Sequence, residues 1–498
     1  MVYLPTRRHF LSALGAFGLG GPALAGAPQV SLRPQARGVA QAPVAPPGPE
    51  ALVAAAGLSG QVAFALADVR SGAMLEALGG GLRLPPASVA KAITALYALD
   101  TLGAEHRFET RLLARGAVSN GILRGDLILS GGGDPTLSTD HLAALARGLK
   151  QAGVREVQGD FIVHEGLLPQ IGSIDPDQPD HVGYSPAISG IALNFNRVHF
   201  EWKRAGNGYS VTIDARSDTL RPEVGTARMR IVARDLPVYT YASENGVDAW
   251  TVAAGALGKG GARWLPVRNP GAYAGDVFRT LARAQGIVLK AAKVTRGDGP
   301  GGTVLANHFS DPLRMILRDM LHFSTNITAE MVGLSATRAR GGKVQSLKAS
   351  ADAMNAWARA QLGMQSVALV DHSGLGDASR MTPQDLVSAL VQVRRGGILR
   401  PLLKPVALRD ERGRIIQNHP IKVDAKTGTL NFVSGLGGYM TTAGGREMAF
   451  AIFTADIDQR ARIKRQDRET PQGARSWNGR SRKLQQALIE RWGSVYRG

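Results

Sequence analysis

The sequence predicts an α/β protein whose helix-and-sheet body is interrupted by a large, mostly β insertion. Three observations lead there. From Ala87 to Leu102 apolar residues recur with the 3.6-residue period: Val89, Ile93, Leu96 and Leu99 share one broad face, and Gly103 is placed to stop the helix. From about 105 to 267 the pattern changes to short strand-like runs separated by Gly and Pro turns. Helical patterning then returns through 312–361, and the last segments read as strands followed by a helix.

In chain order, residues 1–27 read as an export leader. Arg7 and Arg8 precede an apolar, Gly/Ala-rich run to about Gly20, and Ala23-Leu24-Ala25 and Ala25-Gly26-Ala27 offer small-residue cleavage sites, so cleavage is expected near Ala25 or Ala27. The arginine pair followed by Phe10-Leu11 resembles a twin-arginine signal, the alternative being a plain secretory leader. No cysteine follows the cleavage site to carry a lipid anchor, and no later stretch holds 18 consecutive apolar residues, so a soluble exported, periplasmic protein is expected. Residues 28–50, rich in Pro, Gln and Ala, read as a linker, with order beginning near Leu52. Gln61–Leu66 and Met74–Leu78 flank Ser71-Gly72 as a hairpin.

In the insertion, Leu127–Leu129, Phe161–Val163, Val198–Trp202, Tyr209–Ile213 and Met229–Val232 read as strands. One or two insert subdomains are expected over 105–267, with the main body formed by 51–104 and 268–498. Toward the end, Val423–Lys426, Gly438–Thr442 and Met448–Phe453 read as strands, Gly444-Gly445 joins the last two, and an amphipathic helix covers about 480–492.

Composition narrows the chemistry. The chain has 498 residues, 44% of them hydrophobic and 20% charged, which is ordinary for a globular protein. Zero cysteines exclude disulfides, thiolate catalysis and Cys-ligated metals. The net charge is +19; the leader holds two Arg and no other charged group, so its removal leaves +17. For an exported chain this points to anionic wall polymer or membrane surface rather than nucleic acid. Much of the excess lies in 460–483, read first as a solvated basic loop and second as a peripheral wall or membrane contact.

Three short motifs carry the chemistry. Ser88 and Lys91, in Pro86-Ala87-Ser88-Val89-Ala90-Lys91, stand one helical turn apart at the start of the predicted helix. A serine hydroxyl needs a base, and a neutral lysine beside it can take the proton. Burial and a neighbouring cation such as Lys426 would lower the Lys91 pKa toward that role. Ser324-Thr325-Asn326 follows far downstream in a helical context, then Lys426-Thr427-Gly428-Thr429 on a strand. Ser324 can relay a proton and Asn326 can grip a peptide group. The Lys426 charge with the Thr427 and Thr429 hydroxyls suits a carboxylate.

The chain has one S-x-x-K and one K-T-G, whereas S-x-N also occurs at Ser243-Glu244-Asn245 and Ser476-Trp477-Asn478. The first of these reads as an insert turn, and the second lies beyond Lys426 in the basic segment. The ordered set is what carries weight, because each member alone is common. Competing sites fail. His372 beside Asp371 lacks a G-x-S-x-G elbow and reads as a loop histidine. Gly131-Gly132-Gly133-Asp134 lacks the G-K-[ST] of a phosphate loop, and Asp134 reads as a turn residue. No H-E-x-x-H is present, and no metal or other cofactor is called for.

On these residues the chain, over about 50–456, resembles the D-alanyl-D-alanine carboxypeptidase/endopeptidase family of low-molecular-mass penicillin-binding proteins, typified by penicillin-binding protein 4. Gly133-Asp134-Pro135-Thr136-Leu137 resembles an insert marker of that family, and Asp371-His372-Ser373-Gly374-Leu375 its D-x-S-G-L turn. The wide gap between Lys91 and Ser324 fits a transpeptidase-like domain split by an insertion; class A β-lactamases have a shorter one. Thr325 in the second motif and the length of the basic segment depart mildly from the family.

The resemblance implies a penicillin-binding/β-lactamase-like fold, an antiparallel sheet between helices. It implies acylation of Ser88 by the penultimate D-alanine carbonyl of a peptidoglycan stem peptide, with Lys91 as base and Ser324 as proton shuttle. It further implies an oxyanion hole from the backbone N–H groups of Ser88 and Thr429. Lys426, Thr427 and Thr429 would hold the terminal carboxylate, and β-lactam antibiotics would act as covalent inhibitors. The alternatives are a β-lactamase or esterase on the same scaffold and a low-turnover wall-binding protein.

Overall fold

The computed structural model describes residues 46–342 and 344–497. The leader expected over 1–27 lies outside them, as does the linker up to residue 45; Pro49–Ala55 is already helical. Among the described residues no helix is long and apolar enough to cross a membrane.

The body is built on a six-stranded antiparallel sheet in the order Lys404–Pro405, Lys422–Leu430, Val433–Thr441, Glu447–Ala455, Gln61–Asp68, Met74–Leu78. Its first strand by sequence, Gln61–Asp68, thus pairs with its last, Glu447–Ala455, closing the layer across nearly the whole chain, and Met74–Leu78 adds the edge beside it. Alternation along Gln61–Asp68 divides the core. Ala63, Ala65 and Ala67 face one cluster with the helices Lys91–Leu102, Leu313–Phe323 and Pro383–Arg394. Phe64 and Leu66 face the other, under the terminal helix Ala474–Val495. There Trp492 is fully buried, 5.7 Å from Phe64 and 6.0 Å from Phe450 between ring centroids, with its indole N–H donated to Glu76 at 2.9 Å. Truncating such a side chain typically costs about 3–5 kcal/mol.

The insertion carries a mixed sheet in the order Lys293–Thr295, Phe161–His164, Ile122–Ser130, Glu109–Ser119, Thr303–Phe309, with Glu156–Val157 alongside Ile122–Ser130. Two three-stranded sheets accompany it: Tyr239–Glu244, Val247–Ala253 and Ala227–Val232; and Gly260–Pro266, Arg197–Ala205 and Gly208–Asp214. The strands expected there all form. Sequence reading returned the chain to the main body at residue 268, but Pro270–Ala284 and the strands to Phe309 pack with the insertion, because their partners are Phe161–His164 and Glu109–Ser119. The crossover is tied where the Phe108 N–H donates to Ser310 Oγ and the Ser310 N–H to the Phe108 carbonyl, both at 2.9 Å. The helix Thr139–Gln151, capped by Ser138, was not foreseen.

The basic segment is not a loop throughout. The final helix starts at Ala474, earlier than 480, because Ala474 and Trp477 bury against Phe432. Arg460 and Arg468 pair with Asp377, and Arg465 with Asp180 at 2.7 Å. Arg475, Arg480, Arg482 and Lys483 remain exposed on the helix.

Candidate active site

The turn that carries Ser88 is tighter than the sequence suggests. Ala87–Ala90 form a 3-10 turn, and the α-helix proper begins at Lys91. A 3-10 turn has three residues per turn, so positions 88 and 91 lie one above the other. Lys91 Nζ donates to Ser88 Oγ at 2.9 Å. The turn is held in an uncommon shape: Ala87 has φ +47°, and a Cβ on Gly374 would sit 1.9 Å from the Ala87 carbonyl oxygen.

Lys91 is fully buried and spends all three donors, on Ser88 Oγ, on Asn326 Oδ1 at 2.7 Å and on the Ser373 carbonyl at 2.8 Å. Burial pulls its amine down to about 8, against the opposing pull of the Glu330 and Asp371 carboxylates. Lys426, 1% exposed, is pulled down to about 7 by burial first and then by the charges of Lys91 and Lys404. Its Nζ donates to the Thr427 carbonyl at 2.6 Å.

The strand that bears Lys426 offers an open edge to this turn. Lys404–Pro405 pairs only with Asp424 and Ala425. The Val406 N–H reaches the Val423 carbonyl, so the odd-numbered residues of the strand aim their backbone groups at that edge. Thr427 and Thr429 share that parity, so their N–H groups point outward from the unpaired stretch, and their side chains are exposed. The intervening Gly428 faces the nucleophile turn: a Cβ there would lie 2.6 Å from the Pro86 carbonyl oxygen and 3.1 Å from Ser88 N.

Ser324 ends the helix Leu313–Phe323 in a left-handed conformation, φ +61°, and Asn326 opens the next helix, Asn326–Ala339. Asn326 therefore turns Oδ1 to Lys91 while its Nδ2 donates to the Tyr184 carbonyl of the insertion at 3.0 Å. Ser324 lines the adjoining cleft, and among the described residues its Oγ has no hydrogen bond to Ser88 or Lys426. Ser88, Lys91 and Asn326 are thus joined directly, Lys426 by its field, and Ser324 by position.

Sequence reading missed Glu330. One turn beyond Asn326, this buried carboxylate accepts the N–H groups of His372 and Ser373 at 3.0 and 2.8 Å, and burial raises its pKa. Its signal was a charged residue at i+4 from a site asparagine on an otherwise apolar helix face. Asp371 caps its own turn by accepting from Gly374 and Gly376 N–H, both at 2.6 Å. His372 belongs to no triad: its Nε2 faces Ser350 Oγ at 2.7 Å, and burial lowers its pKa to about 3. Asp134 is a turn residue, accepting from Thr136 N–H and Oγ1. The other two S-x-N sequences fall in a hairpin turn and in the final helix.

Comparison with known proteins gives the chain a family and a fold. The chain is 28% identical over 461 residues to a D-alanyl-D-alanine carboxypeptidase of Actinomadura sp. strain R39, covering 83% of each. Its fold matches the crystal structure of penicillin binding protein 4 from Haemophilus influenzae with a TM-score of 0.70 at 22% identity, covering 89% of this chain and 99% of that one. The complex of that protein with a novel β-lactam matches with a TM-score of 0.68 at 21% identity, over the same shares. Residues 50–471 match the D-Ala-D-Ala carboxypeptidase 3 (S13) family, and the chain belongs to it.

Proposed function

We propose that the protein is a serine D-Ala-D-Ala carboxypeptidase acting on peptidoglycan stem peptides, with a further endopeptidase activity on their cross-links. The observation that carries this reading is the 2.9 Å hydrogen bond from a fully buried Lys91 amine to Ser88 Oγ. A lysine drawn down to about 8 is neutral part of the time near neutral pH, which a base must be.

In the proposed reaction Ser88 Oγ attacks the carbonyl carbon of the penultimate D-alanine, and its proton passes to Lys91 Nζ. The oxyanion is held by the N–H groups of Ser88 and of Thr429 on the open strand edge; one such donor is worth about 2.7–4 kcal/mol. The C–N bond then breaks, D-alanine leaves with a proton relayed through Ser324, and water hydrolyses the Ser88 ester. Asn326 orients the peptide, and Lys426, Thr427 and Thr429 take the terminal carboxylate. A β-lactam amide enters the same path, as a covalent inhibitor.

We further propose that the chain is exported through its Arg7-Arg8 leader and works in the periplasm. The exposed Arg475, Arg480, Arg482 and Lys483 would form its contact with anionic wall or membrane. D-alanine release from a D-Ala-D-Ala pentapeptide tests the main reading. Wild type is expected to release it and Ser88→Ala to lose it by a factor of at least about 10³. Fast penicilloate turnover with no D-alanine release would instead make the protein a β-lactamase.

A further inference from the structure

A cleft of about 730 Å³ lies between the insertion and the helix Leu313–Phe323, and Ser324 and Asn326 form part of its wall. On the insertion side stands Arg197. Its guanidinium carbon is 5.2 Å from the Phe195 ring centroid and 5.3 Å from that of Trp264. Two aromatic neighbours restrain the guanidinium. Among the described residues Arg197 forms no ion pair, and its buried Nε has no hydrogen-bond partner.

The turn before it is built for this. Asn194, Phe195 and Asn196 have φ of +50°, +59° and +49°, a run of left-handed backbone that Asn194 and Asn196 hold with buried side-chain hydrogen bonds. Arg197 is the sole lysine or arginine among the described residues lining the cleft. His141 and His308 stack there 4.0 Å apart, and burial lowers the pKa of both, so they add no charge near neutral pH. Asp311 and Asp319 on the opposite wall are exposed, and Asp319 pairs with Arg318.

An unpaired, half-buried guanidinium is a receptor for a carboxylate, which it can bind through two parallel hydrogen bonds. We propose that this cleft is a second recognition site for the substrate, in which Arg197 clasps a carboxylate borne by the peptide outside its terminal D-alanyl pair. The proposal rests on the peptidase reading above. The carboxylate comes either from the same stem or from the second stem of a cross-link.

The test compares Arg197→Gln and Arg197→Lys with wild type on two matched pairs of peptides: the single-stem free acid and its amide at the glutamyl carboxylate, and the free-acid cross-linked dimer and the dimer amidated on its second stem. Wild type is expected to prefer the free acid about tenfold in kcat/KM, through KM, over whichever amide removes the Arg197 partner, and that amide identifies the source. Arg197→Gln is expected to bring the ratio to one, and Arg197→Lys to keep only part of it. Equal losses on acid and amides, or no loss on any, would overturn the proposal. If Arg197→Gln does not fold, as judged by its melting curve, Arg197→Lys decides: an undiminished preference overturns it. Stoichiometric penicillin acylation of wild-type Ser88 keeps the peptidase reading standing if the cleft proposal fails.

Discussion

Glu330 and Ser373 meet in the floor of the site: the carboxylate accepts the Ser373 N–H at 2.8 Å, and the carbonyl of that same serine receives Lys91 Nζ at 2.8 Å. The amine beside Ser88 is therefore aimed by a buried carboxylate that does not touch it by hydrogen bond. Glu330→Gln leaves at most one acceptor for two N–H donors. Loss of about 1–3 kcal/mol in unfolding free energy is expected, since a buried donor goes unpaired. A penicillin acylation rate reduced about tenfold is expected alongside, and urea melts with stopped-flow acylation check both.

The amine itself sets a pH dependence. Lys91 is a base only when neutral, and burial has brought its pKa from 10.5 to about 8. The acylation rate is expected to rise as pH increases through about 8 and to level off above it. A rate profile from pH 6 to 10 measures this. In Lys91→Met the rising limb should vanish, with a rate about 10²–10⁴ lower.

Gly428 faces the nucleophile turn with no room for a side chain. A Cβ would meet the Pro86 carbonyl oxygen at 2.6 Å, and that atom already accepts the Val89 N–H that shapes the turn. Gly428→Ala is expected to cost about 1–3 kcal/mol in stability by overpacking. Its loss of D-alanine release should be disproportionate, a hundredfold or more, because Ser88 itself is displaced. Tm and kcat/KM measured on one preparation separate the two effects.

In the proposed reaction Lys426 takes the terminal carboxylate. Lys426→Gln keeps the shape and removes the charge. Loss of a charge-assisted hydrogen bond is worth about 1.5–3 kcal/mol, so kcat/KM for a free C-terminal peptide should fall roughly 10–150-fold. The same variant should lose far less on the C-terminal amide, and kinetics on the two peptides measure the difference.

Away from the chemistry, Arg460 is buried and pairs with Asp377, which also receives Arg468 at 3.2 Å. Asp377→Asn leaves a buried guanidinium without its counter-charge, and a loss of about 3 kcal/mol is expected. Thermal melting reads it directly, with D-alanine release per folded molecule changed little.

The motifs were legible because each is local: Ser88 with Lys91, and Lys426 with Gly428, are fixed by spacing within one turn or one strand. What spacing could not show was tertiary. Glu330 acts through Ser373, 43 residues away, so nothing near either residue announced the pair. The extent of the insertion was misjudged because Pro270–Ala284 has the same helical pattern as the body's helices, and only its sheet partners assign it. The charges of the basic segment read as a loop and hide the contact of Ala474 and Trp477 with Phe432. The left-handed backbone of Ser324, a helix stop without glycine, has no clear sequence signal.

The most direct test is peptide mapping by mass spectrometry after brief exposure to penicillin. One penicilloyl group is expected on the peptide containing Ser88, and none on any peptide of the Ser88→Ala variant. An adduct on another residue, or one that persists in the variant, would contradict the assignment of Ser88 as the group that Lys91 activates.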